Sequence, residues 1–116
     1  MSPEQNEVEQ IEIERAEAER LVDLRDSLDR LQKNRDFKKV ILDGYVKNEP
    51  TRLAQALADP TVFEFAEHIE KQIHSIGWFC AYLRTIRQAA GQAENALAEL
   101  RRYEAELDDA AVEEGV

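Results

Sequence analysis

The apolar residues Val62, Ala66, Ile69, Ile73, Ile76, Cys80 and Leu83 follow one another at strictly alternating steps of four and three. Only a helix brings residues at that spacing onto one stripe, and a stripe kept this regularly is a seam meant for another helix. After Leu83 the pattern takes an additional step of three to Ile86. It then resumes through Ala90, Ala93, Leu97 and Leu100 and drifts onto Tyr103 and Leu107. Two consecutive steps of three predict a local overwinding of the supercoil. A second, shorter seam of the same kind joins Leu21, Leu24, Leu28 and Leu31 at 3-4-3 spacing.

Nothing in the remaining sequence offers an alternative to helix. With three prolines and four glycines in 116 residues, the chain lacks the turn signals that a strand-rich fold needs every ten or so positions. The expected class is all-α: a long, coiled-coil-like hairpin whose two long helices are separated by two short ones forming a head. Residues 1–116 are read as a single helical domain. Helix one is expected over 3–33, helix two over 35–48, a short helix three over 50–58 and a long helix four over 60–108. An acidic frayed tail over 109–116 completes the chain.

Local signals set these limits. Ser2-Pro3-Glu4-Gln5 has the form of a capping box with proline at the first helical position. Asn34 is placed to cap helix two, and Asp59-Pro60 to stop helix three and start helix four. Pro50 disfavours a helical conformation at Glu49, so helix two is expected to end near Asn48. Gly77 and Gly91 lie inside helix four, where they predict a kink or the close approach of another backbone. Carboxylates from Asp108 onward oppose the helix dipole and predict fraying.

Charge is distributed in three blocks. Residues 1–29 carry −7, residues 30–52 carry +4 and residues 53–116 carry −7, for a net charge of −10. The acidic arms repel phosphate and argue against a general nucleic-acid binder. The candidate basic patch is Arg30, Lys33, Arg35, Lys38 and Lys39; its plainest reading is a solvated helix face that pairs with the acidic arms. One cysteine, Cys80, excludes an intrachain disulfide and fits a reducing compartment. No signal peptide is expected from the acidic N-terminal stretch. The most apolar stretch, Ile73 to Leu83, is about half the length of a membrane span. The reading is therefore a soluble, intracellular protein that makes no membrane contact.

The segment from Gln72 to Leu83 is apolar over more than one stripe, since Ile73, Ile76, Trp78, Phe79, Cys80, Tyr82 and Leu83 point around most of the helix. Such a helix asks for burial on most sides. That cover is expected either from helices two and three, through Phe37, Ile41, Tyr45 and Leu53, or from a second copy or another protein. The candidate interface residues are thus Leu21, Leu24, Leu28, Leu31, Ile73, Ile76, Trp78, Phe79, Cys80, Tyr82 and Leu83.

Signals of catalysis are not found in the sequence, and no enzyme activity or cofactor is expected. No glycine-rich phosphate loop follows a strand. His68 and His74 are six residues apart, a spacing that puts them on different helix faces and not in a zinc-binding pair. Cys80 at a seam position reads as a small hydrophobe. Asp59, Glu64 and Glu67 are accounted for by capping and the helix dipole before a cation is invoked.

The stretch LDRLQKNRDFKKVILDGYVKNEPTRLAQALADP, Leu28 to Pro60, together with the later IHSIGWFCAYLRTI, resembles small coiled-coil proteins of tailed bacteriophages. The resemblance leaves out both acidic ends and carries no catalytic signature. It implies a phage-encoded protein expressed with the virion structural genes, located in the host cytoplasm or incorporated in the virion. It assigns no site residue. The expected role is a virion or assembly component that acts as a homo-oligomer or docked on another phage structural protein. Two other classes are consistent with the charge pattern. One is an acidic inhibitor or regulator of a host protein; the other is a DNA-packaging accessory that contacts phosphate through the 30–52 segment.

Overall fold

A computed structural model gives the structure of the protein, describing the backbone of residues 2–114 and side chains through Val112. All described regular structure is helical. In chain order it comprises α1 (Pro3–Lys33), the single turn α2 (Arg35–Phe37), a π-helical segment (Lys38–Asn48), α3 (Glu49–Leu57), a 3-10 segment (Pro60–Phe65) and α4 (Ala66–Glu114). The chain expected as one domain divides into two compact units that share the long helices: residues 1–26 with 86–116, and residues 27–85.

The starts of the helices are made by the residues that the sequence marks. The Gln5 amide donates to Ser2 Oγ at 3.2 Å and the Ser2 amide to Gln5 Oε1 at 3.3 Å, which closes the capping box. Asn34 is extended, and its Oδ1 accepts from the Phe37 amide at 2.9 Å. Asp59, also extended, accepts from both the Thr61 amide and the Thr61 hydroxyl, at 2.9 and 2.8 Å. These bonds, the backbone one first, hold the Asp59 carboxyl below its ordinary range.

Three boundaries differ from expectation. Helix two does not stop before Pro50. Glu49 is helical at φ −61°, ψ −46°, and α3 follows the π segment directly. The steric bias of the residue before proline is overcome by a change of winding: the Glu49 amide donates five residues back, to the Gly44 carbonyl. The missing Pro50 amide and its bulky ring thus fall where the helix leaves π winding. Next, α-helical winding begins at Ala66 and not at Pro60, with the 3-10 segment between them. Finally, α4 continues through Glu114 where fraying was expected from residue 109; positions 115 and 116 of that tail lie outside the described residues. Opposition to the dipole is a surface effect of a few tenths of a kcal/mol, too small to unwind a helix already propagated over many turns.

In the unit of residues 27–85 the core is Leu53 on α3 with Ile69 and Ile76 on α4. Tyr45, Ala56, Leu57, Val62, Ile73 and Cys80 pack around them. Tyr45 meets Phe79 edge to face, with centroids 5.7 Å apart and planes at 77°. In the unit formed by 1–26 and 86–116, α1 and the C-terminal part of α4 run antiparallel. Arg15 pairs with Glu104, and Arg25 with Glu94, so later residues of one helix meet earlier residues of the other. The buried side chains there are Ala18, Ile86, Ala90 and Ala93. This seam of small residues suits two helices packed closely along a narrow stripe.

Candidate interaction surface

Seam positions that the heptads mark are mostly used within the chain. Along α4 every member from Ile69 to Leu100 is buried or half-buried, including Ile86 after the double step of three. Among the α1 leucines, Leu28 is buried, Leu21 and Leu24 are half-buried, and Leu31 is 46 % exposed. Ile76 of the apolar band is likewise buried, and Ile73, Phe79, Cys80 and Leu83 are half-buried.

Trp78 and Tyr82 do not. They are 76 % and 58 % exposed, one helical turn apart on the same side of α4. The chain's single tryptophan is therefore on the outside, beside Phe79, which is covered by Tyr45. Gly77, next to it, has open space where a Cβ would stand, and so does Gly91. Neither glycine serves a close backbone approach within the chain, and α4 is continuous through both. Exposed aromatics also flank the start of α4, at Phe63 and Phe65 of the 3-10 segment. Sequence reasoning placed Phe63 and Phe65 in no surface; their lack of a seam spacing was the available signal.

All five members of the basic patch are exposed. Arg30 donates to Ser27 Oγ at 3.0 Å. Among the described residues no ion pair engages Lys33, Arg35, Lys38 or Lys39, so the patch is not neutralised by the acidic arms. The paired bases are others. Arg25, bonded to Glu94 and then to Asp26, is held above its ordinary range, and Glu94 below its own by Arg25. Arg20 and Glu17, and Arg52 and Glu49, are coupled in the same sense by their hydrogen bonds across one helical turn.

Polar side chains converge in few places. A hollow beside Tyr45 is lined by Glu49, Leu53, Gln72, Ser75 and Ile76, and its one carboxylate, Glu49, is already engaged by Arg52 at 2.8 Å. His68 and His74 are exposed on α4. Among the described residues no three His, Cys, Asp or Glu side chains gather as a metal site would require. No described helix is long and apolar enough to cross a membrane.

Comparison of the chain with protein-family models, with curated proteins and with solved structures returned no match.

Proposed function

We propose that the protein is a non-enzymatic docking component of a phage particle or of its assembly, working through exposed faces of its helices. The observation that carries the docking part is the pair Trp78 and Tyr82. Large aromatic side chains exposed one turn apart are costly to leave in water and are the residue types that anchor interfaces. The phage part comes from the sequence resemblance across Leu28 to Pro60 and the later apolar band. The test is to purify particles and assembly intermediates from the producing phage and quantify the protein in each. The expected result is a fixed copy number per particle or per intermediate, lost in a Trp78→Ala, Tyr82→Ala variant. Absence from both fractions, with dose-dependent inhibition of a host nuclease or polymerase, would replace this reading with that of an acidic inhibitor.

One observation favours a second reading. Lys33, Arg35, Lys38 and Lys39 are exposed and, among the described residues, in no ion pair, which leaves them available to phosphate. On this reading the protein assists DNA packaging, and its DNA affinity falls steeply with salt. Replacing the four bases by glutamine would flatten that salt slope, whereas a DNA affinity indifferent to the replacement would dismiss the idea.

A further inference from the structure

In the unit of residues 1–26 and 86–116, α1 has a second stripe of coiled-coil period besides the one it turns toward α4. Asn6, Gln10, Ile13, Glu17, Arg20 and Leu24 follow at steps of 4-3-4-3-4, which sets them along one side of the helix. Ile13 is 63 % exposed, Glu17 and Arg20 are exposed, and Leu24, which belongs to the leucine seam as well, is half-buried. Ile13 and Glu17 also line an open hollow of about 400 Å³, together with Leu21 of α1 and Ala89, Gln92 and Ala96 of α4. Small side chains on its α4 side leave room for another helix laid along α1. The order on the stripe, apolar Ile13, acid Glu17, base Arg20, apolar Leu24, is its own complement when read from the opposite end.

From this we infer that α1 pairs with α1 of a second copy, antiparallel, about a two-fold axis midway between Glu17 and Arg20. Every contact then occurs twice: Ile13 meets Leu24 of the other copy, and Glu17 meets its Arg20. Within one copy Arg20 already donates to Glu17 at 2.7 and 3.0 Å, across one helical turn. The dimer joins two such pairs into a ring of four alternating charges, so each charged group leaves water with opposite charge on both sides. Other arrangements of the two copies lack this match. A parallel pair sets Glu17 against Glu17 and Arg20 against Arg20, and the five glutamates from Glu4 to Glu14 beside their own counterparts. An antiparallel pair shifted by one heptad sets Ile13 against Glu17, or Leu24 against Arg20, and so covers a charge with an apolar group. The contact uses neither Trp78 nor Tyr82; it goes beyond the docking reading and does not depend on it.

Charge reversal on the stripe tests this pairing. Glu17→Arg leaves two bases there and Arg20→Glu leaves two acids. Both side chains are exposed, and unchanged helicity by circular dichroism confirms that each variant folds. Light scattering across a dilution series should find wild type dimerising, and each single variant dimerising at least about tenfold more weakly, because like charges then meet across the axis. Mixed in equal amounts, the two variants should regain a one-to-one dimer in which every base again faces an acid. Both substitutions in one chain exchange the two charges and should restore dimerisation to the wild-type level.

A wild type that stays monomeric at every concentration overturns the inference and leaves this face of α1 to a different protein. Single variants that dimerise as wild type does overturn it too, since a parallel pair or a contact elsewhere is indifferent to these reversals. So does a mixture that stays monomeric. Recovery of the protein in particles is read through Trp78 and Tyr82, so failure of self-association and failure of the docking reading are told apart.

Discussion

Glu94 and Arg25 show how a single contact can tie two distant stretches of sequence. Their bond spans 69 residues and fixes the register of α1 against α4 in its unit. Because Arg25 holds the Glu94 carboxyl below its unfolded value, the folded state binds this proton less readily than the unfolded one. The contribution is therefore fully present above the unfolded carboxylate range and is lost as pH falls through the depressed value. A Glu94→Gln variant should melt below wild type at neutral pH, and the gap should close as the solution is acidified through that range. A gap that persists unchanged in acid would show that the register is held by the apolar seam alone. The glycines make a second residue-scale case. At Gly91 nothing lies within 4 Å of an added Cβ, whereas at Gly44 it would meet the Lys39 carbonyl at 3.3 Å. Gly91→Ala should thus gain close to the full ~1 kcal/mol of helix propensity, a rise of about 4 °C in melting temperature. Gly44→Ala should gain less or lose stability. Equal gains in thermal melts would mean that the π segment yields freely.

Among the elements, the run from Arg35 to Leu57 is the one in which local sequence and tertiary context disagree. Proline removes an amide and clashes with the preceding turn of an α-helix, which is why the sequence suggests a break. The chain instead stays helical by winding more widely ahead of Pro50, and this keeps Leu53 in phase with Ile69 and Ile76. Pro50→Ala should let the segment relax toward α winding. Amide-to-carbonyl couplings measured by NMR would then connect Glu49 to Tyr45, four residues back, in place of Gly44. An unchanged link to Gly44 in the variant would assign the π winding to packing of Tyr45 and Leu53 and not to the proline. The capping residues Ser2, Asn34 and Asp59 present no such conflict. Their side chains act on amides two or three residues away, and such short-range geometry is contained in the sequence.

Each of the two compact units has its own thin core, and no large side chain is fully buried in either among the described residues. Local stability should follow that distribution. In hydrogen exchange at high dilution, amides of residues 2–10 and 101–112 should exchange first. Those around Leu53, Ile69 and Ile76, and along the seam of Ala18, Ala90 and Ala93, should exchange last. Uniform exchange along both long helices would instead indicate a single cooperative block.

What the sequence determined by itself is periodic or local. The 4-3 steps on α4 place the seam from Ile69 to Leu100 on one stripe whatever the partner, because helix geometry alone puts them there. Capping boxes and the all-helical class follow from equally short-range chemistry. Tertiary structure decided which apolar residues the chain can cover for itself. Trp78 and Phe79 are neighbours in an apolar run, and no rule of composition separates them. Phe79 is half-covered because the π segment brings Tyr45 against it, while Trp78, about 100° further round the helix, stays 76 % exposed. The same holds for the basic patch. Its charges are evident in the sequence, but their freedom from ion pairs depends on which acids the fold brings near. Between α1 and the C-terminal part of α4, Glu94 and Glu104 are taken by Arg25 and Arg15. Burial and pairing are properties of contacts between distant segments, and one-dimensional patterns fix the face a residue occupies without fixing what stands opposite.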